Sequence, residues 1–254
     1  MDKIKLIFNA DDFGLSKGVN LGIIEAHQNG PVGSTTIMAG ADAFEHAVDL
    51  VKENPNLKVG IHLTLTANKS VGGVYSTLTD RKGNFLSLST IAKRATAETL
   101  DLDEVEKEYE AQIQKVLSAG ILPEHFDSHH HTHHLPGVFD VFIKLAKKYN
   151  ITKARMYNKE MLKAKTCEIR TTDKFEDSFY GEDATIENLK KVIRKFKGRS
   201  MEIMTHPAYM DNSLYTLSSY NQLRMVEMDV LTSKELKEFL EQGNYEIATF
   251  QEIE

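Results

Sequence analysis

Short apolar runs alternate with longer amphipathic segments along the whole of this chain, and that order restricts the fold more than any other feature. IKLIFNA at 4–10 predicts a buried strand, followed by a helix over 18–28 that Ser16 introduces. A second strand at 34–38 precedes a helical stretch at 43–52, and 57–65, which carries GIHLTLT, reads as a third strand. The charged stretch 102–119 puts Val105, Tyr109, Ile113, Val116 and Leu117 on one face of a helix. Strands at 125–128, 153–157, 200–205 and 245–249 and helices at 138–148, 186–196 and 233–242 continue the pattern. Residues 67–88, rich in Gly, Ser, Thr and Asn, read as a long loop, and THPAYMDN at 205–212 as another. The stretch 158–183 has no clear period and is expected to cross the mouth of the fold. Repeated β-then-α order predicts a parallel α/β sheet closed or nearly closed into a barrel, with an open doubly wound sheet as the competitor. No repeat, linker or heptad run divides the chain, so 1–254 is read as a single domain.

In such folds the reactive groups gather beyond the C-terminal ends of the strands. Four features fall at or near predicted strand ends: the pair Asp11-Asp12, His62, a histidine cluster, and His206. The cluster, HFDSHHHTHH, holds six of the ten histidines between His125 and His134. It is no purification tag, being internal, interrupted by Asp127, Ser128 and Thr132, and followed by Pro136. Imidazoles and carboxylates with one carboxylate to spare are the inventory of a hydrolytic metal site. If the cluster stays extended, His125, Asp127, His129, His131 and His133 share one side, while His130 and His134 face the other. One ion takes only two or three of these, and the residues alone do not select them.

Each candidate also has a plainer reading. Neighbouring Asp11 and Asp12 point to opposite faces of a strand, so one could coordinate a metal while the other meets substrate; either could instead cap the turn that follows. His62 lies in a β-prone apolar run where a satisfied core histidine is usual, but its strand-end position beside Thr64 and Thr66 favours a ligand. His206, stopped by Pro207, suits a general acid or a turn-fixing loop residue. Arg155 could orient a buried Asp or lie on the surface. His27 and His46, in amphipathic helices, are expected to face solvent.

The net charge of −6 and the absence of any basic run argue against a nucleic-acid partner and for small neutral or polar substrates. Cys167 stands alone, which rules out an intrachain disulfide and a cysteine metal site and fits a reducing compartment. The first residues do not read as a secretion signal, and no stretch nears the roughly 18 apolar residues of a membrane span. A soluble, cytoplasmic protein without membrane partners is expected. Walker and dinucleotide glycine loops are missing, Ser16 and Ser128 lack a nucleophile elbow, and DSHHH is not HExxH.

NADDFGLSKGVN near the start, STT at 34–36, GIHLTLT, HFDSHHHTHHLP, FYGE at 179–182, THPAYMDN and DVLTS at 229–233 together resemble the YdjC-like carbohydrate deacetylases, and among them the chitooligosaccharide (diacetylchitobiose) deacetylase group. The resemblance runs over nearly the whole chain. It implies a distorted, incomplete TIM-like (β/α) barrel with a metal at its C-terminal rim, held by Asp12, His62 and His129, and Asp11 as general base. The implied reaction is metal-assisted hydrolysis of a linear amide, removing acetyl from an N-acetylglucosamine unit, as in chitin and polysaccharide degradation. The implied metal is Mg2+, although two His and one Asp also suit Zn2+, and the implied assembly is a homodimer. Amide cleavage needs an acid for the leaving amine; His206 is the first choice and His131 the second. The same ligands would serve a metal phosphoesterase, which would want more Arg and Lys at the rim. A non-haem iron oxygenase usually has a β-rich barrel, and a non-catalytic sugar- or metal-binding module would need no base.

Overall fold

The structure, a computed structural model, describes residues 3–157 and 166–253. β1 (Ile4–Phe13) is buried along nearly its whole length, which only a strand covered on both faces permits. Helices α1 (Lys17–Asn29) and α2 (Phe44–Glu53) return the chain to β2 (Val32–Ile37) and β3 (Lys58–Leu63), both parallel to β1. Ser16 starts α1 as expected, its hydroxyl accepting the Val19 N–H at 3.2 Å; such a cap contributes about 1 kcal/mol. After α3 (Leu88–Thr96) and α4 (Leu102–Ser118), β4 (Phe126–Ser128) joins β3 and leads into a 3₁₀ turn at His129–His134 and α5 (Val138–Lys148). β5 (Lys174–Glu176), α6 (Ile186–Lys195), β6 (Ser200–Thr205), α7 (Asn212–Leu217), α8 (Leu223–Leu231), α9 (Lys234–Gln242) and β7 (Tyr245–Ile247) complete it.

The strands run parallel in the order β4-β3-β2-β1-β6-β5. β7 pairs with Ile4–Leu6, below the point where β2 joins at Phe8, so the two share one edge of β1. Beyond β4, isolated parallel bridges Phe126↔Ala154 and Lys153↔Arg170 lead towards the chain entering β5. The sheet is thus curled into a half-barrel, the distorted, incomplete barrel that the family resemblance implies. Leu6, Phe8, Ile61, Phe126 and Ile203 are buried in one continuous core with Val19 and Ile23 of α1 and Tyr109 and Ile113 of α4.

Several local expectations fail. The 153–157 strand is reduced to the two bridges, and β5 lies inside the stretch read as an aperiodic excursion, of which 158–165 fall outside the described residues. α3, α7 and α8 occupy segments with no expected element. α7 is only six residues long, and α8 leaves Met225 and Val226 exposed while burying Arg224 and Glu227, so its apolar residues trace no single stripe. The loop between β3 and α3 is anchored along α4. Glu104 accepts the backbone N–H and hydroxyl of both Ser76 and Thr77 at 2.6–2.8 Å. Glu108 accepts the N–H groups of Val71 and Gly72 at 2.9 and 2.8 Å.

Candidate active site

The rim begins with a bulge at the end of β1. Ala10 pairs with Thr35 and Phe13 with Ile37, three steps on β1 against two on β2, which displaces Asp11 and Asp12 from strict alternation. Asp12 takes a left-handed backbone (φ 69°), a conformation Asp tolerates better than most residues. Both acids are buried and both face the barrel mouth, lining one cavity of about 310 Å³.

Asp12 Oδ1 lies 3.3 Å from His62 Nε2 and 2.9 Å from His129 Nδ1. It is buried yet makes no well-directed hydrogen bond to either ring. One ligand atom from each of the three residues falls within 4.8 Å of the others. Three such atoms this close together fit a divalent cation, and two His plus a carboxylate leave positions open for water and substrate. Behind the triad, His62 Nδ1 pairs with Asp127 Oδ1 at 2.7 Å, its register partner on β4, which frees Nε2 for an ion. Burial would depress the His62 pKa, but Asp127 and Asp11 raise it to about 10. Arg224 Nη2 donates to Asp12 Oδ2 at 2.6 Å. A second grouping, Asp11, His62 and Asp127, is less suited to an ion because Arg155 already engages both of its carboxylates.

Arg155, far from the surface its alternative reading allowed, has no solvent exposure. It donates to Asp11 Oδ1 and Oδ2 at 2.6 and 2.7 Å and to Glu202 Oε1 at 2.7 Å, and lies 3.0 Å from Asp127 Oδ2. Asn9 Nδ2 adds a bond to Asp11 Oδ1 at 2.9 Å. Burial pushes the Asp11 carboxyl up, but the guanidinium overrides it and holds Asp11 well below the usual carboxylate range. Burial wins instead at Glu202, whose pKa rises to about 7 against the pull of Arg155.

At the end of β6, His206 Nε2 lies 3.9 Å from Asp11 Oδ2. Its backbone N–H donates to Glu227 Oε2 at 2.5 Å, and Glu227 Oε1 stands 3.6 Å from Nδ1, an electrostatic rather than hydrogen-bonded neighbour. Tyr220 donates its hydroxyl to the same Glu227 Oε1. The rings of Tyr180 and Tyr220 stack 4.0 Å apart and both meet His206 edge-on.

The histidine cluster does not stay extended, so the alternation expected of it fails. His130 and His131 adopt left-handed backbones (φ 54° and 53°) and turn the chain into the 3₁₀ segment. His129 joins the triad, and His131 lines the same cavity, edge-on to Tyr157 and Phe175. His130 Nδ1 pairs with Thr66 Oγ1 at 2.9 Å. His133 bonds Ser128 Oγ at 2.6 Å and stacks on Phe142, while His125 stacks on Phe250; burial holds both rings neutral, well below the ordinary imidazole value. His134 packs against His133 and Tyr157. His27 and His46 are half-buried and paired, with Val32 O at 2.7 Å and Asn20 Nδ2 at 3.0 Å, rather than solvent-facing.

Sequence reasoning missed Arg224, Glu227, Tyr220 and Glu202. Arg224 and Glu227 carried one usable signal, an i,i+3 spacing that places both on one face of α8. Glu202, inside the apolar strand SMEIMT, carried another, since a lone acid there must find a partner.

Three comparisons bear on the family. The family profile described as YdjC-like protein matches residues 5–242. Carbohydrate deacetylase 1 of Listeria innocua is 42% identical over 252 residues, covering 98% of this chain and all of that protein. A carbohydrate deacetylase of Brevibacillus brevis is 40% identical with the same coverage. A solved structure from Enterococcus faecalis, named for cellobiose-phosphate cleavage, superposes with a TM-score of 0.88 at 32% identity and covers 98% of both chains. Among the described residues, no helix is long and apolar enough to cross a membrane.

Proposed function

This chain belongs to the YdjC-like family, and on that premise we propose that it is a metal-dependent carbohydrate N-deacetylase acting on chitooligosaccharides, diacetylchitobiose first among them. It is an enzyme of the carbohydrate deacetylase class, as the names of its relatives indicate. The observation that carries the reading is the convergence of Asp12, His62 and His129 beside an ion-paired Asp11 that faces His206.

Asp12, His62 and His129 would hold the ion, with magnesium as the assignment and zinc as the alternative the donor set also suits. When bound, the ion would acidify a coordinated water and polarise the acetamide carbonyl. Asp11 takes the proton of the attacking water. Arg155 keeps that carboxylate ionised and fixed in direction, at the cost of some basicity. His206 delivers a proton to the amine nitrogen as the C–N bond breaks, giving acetate and the free amino sugar. Glu227, beside Nδ1 and bonded to the His206 backbone N–H, positions the ring for that transfer. His131 is the second choice for the acid: it lines the cavity but packs against Tyr157 and Phe175 instead of standing before Glu227.

A phosphoesterase would use the two arginines of the site for phosphate, but Arg155 is engaged by Asp11, Asp127 and Glu202, and Arg224 by Asp12, which favours the amide. The same reading takes 1–254 as one catalytic domain, a cytoplasmic homodimer with a small oligosaccharide substrate. Metal-dependent release of acetate from N,N′-diacetylchitobiose tests it.

A further inference from the structure

A second cavity, about 370 Å³, adjoins the first and shares four of its walls: His129, His130, Ser218 and Ser219. Both volumes sit at the small end of the range for small-molecule pockets, about 300–1,000 Å³, and each suits one sugar ring rather than two. His129 and His130, their rings 3.9 Å apart, form the ridge between them. Thr66, Asn68 and Asn84 supply polar atoms on the far wall, and Phe85 and Leu15 supply apolar surface. Among the described residues, no Asp, Glu, Lys or Arg lines this second cavity. Its chemistry therefore matches a neutral, hydroxyl-rich ring with apolar faces, and not an anion.

Asn68 stands in this wall. Its backbone is left-handed (φ 63°), and its side-chain Nδ2 is buried with no hydrogen-bond partner. The wall that carries it is fixed in advance. Asn68 O accepts the Phe85 N–H at 3.1 Å, Lys69 bridges Asn84, and the loop is tied to α4 through Glu104 and Glu108. Such preorganisation lowers the entropic cost of binding.

We propose that this cavity is the subsite for the sugar unit adjoining the one deacetylated, with the neutral polar wall of Thr66, Asn68 and Asn84 meeting that unit and the saccharide lying across the His129–His130 ridge. The proposal rests on the deacetylase reading of the first cavity and extends it. The test measures binding of N-acetylglucosamine and N,N′-diacetylchitobiose by calorimetry to the magnesium-loaded protein, with acetate release followed in parallel. Wild type is expected to bind the disaccharide about tenfold more tightly than the monosaccharide, as one or two hydrogen bonds and a buried ring face supply. Asn68→Gly, which suits the left-handed backbone and removes the amide, and Ala67→Trp, which fills the cavity, should each cut that ratio about fivefold or more. Equal affinities in wild type, or a ratio that neither variant lowers, would overturn the subsite. An intact, variant-sensitive ratio with no acetate from either sugar would instead contradict the deacetylase reading alone, and no binding by either sugar would overturn both.

Discussion

Arg155 grips both carboxylate oxygens of Asp11, at 2.6 and 2.7 Å, with the guanidinium wholly out of solvent. A bidentate fork fixes direction as well as charge, and lysine cannot reproduce it. Arg155→Lys should therefore keep the interior charge roughly balanced while releasing the aim of Asp11. We expect kcat for deacetylation to fall about 100-fold with KM little changed, as misplacement of a reacting group does; an unchanged kcat would separate the clamp from catalysis.

Asp127 stands outside the Asp12–His62–His129 triad, yet it fixes the His62 ring through the 2.7 Å contact at Nδ1. Asp127→Asn should weaken magnesium or zinc binding about 10- to 100-fold in calorimetric titration. The fold should survive, because Arg155 retains Asp11 and Glu202.

His206 and Glu227 should act as a unit of unequal parts. His206→Asn is expected to reduce acetate release from the sugar amide by about 100- to 10,000-fold, the range of general acid catalysis, while metal binding persists. Glu227→Gln should have a smaller effect of the same kind. On an aryl acetate ester, whose leaving group departs unprotonated, both losses should shrink; equal losses on ester and amide would remove His206 from the acid role.

The fold and half the site could be read from residue order because they depend on local pattern. The apolar run of β1 ends in two acids, GIH ends β3, and THP ends β6, so the barrel logic places them together. The rest depends on relations no local pattern carries. Asp11 and Asp12 face the same cavity because β1 bulges against β2, a matter of register between strands. The histidines divide among the Asp12–His62–His129 cluster, the cavity wall and the core because two of them take left-handed backbones, which defeats an argument from alternation. Arg224 reaches Asp12 from 212 residues away, on a helix whose exposed Met225 and Val226 hide its amphipathicity.

Glu124 offers a stability test remote from the metal triad. Burial raises its pKa from 4.5 to about 7, with Lys153 only partly opposing. A folded-state pKa above the unfolded value means a contribution fully present below pH 4.5 and lost as pH rises through about 7. Glu124→Gln should then match wild type near pH 4.5 and be the more stable of the two near pH 8, by on the order of 2 kcal/mol. Urea unfolding at the two pH values checks the sign; a variant less stable than wild type at pH 8 would refute it.

The decisive measurement is acetate release from N,N′-diacetylchitobiose by metal-stripped protein, with magnesium or zinc added back and Asp11→Asn run alongside. No acetate is expected without metal, release is expected when metal is restored, and Asp11→Asn should lose about 100- to 10,000-fold despite retained metal binding. Undiminished release from metal-free protein or from Asp11→Asn would contradict the mechanism. No acetate from folded, metal-loaded wild type would contradict the assignment of this substrate.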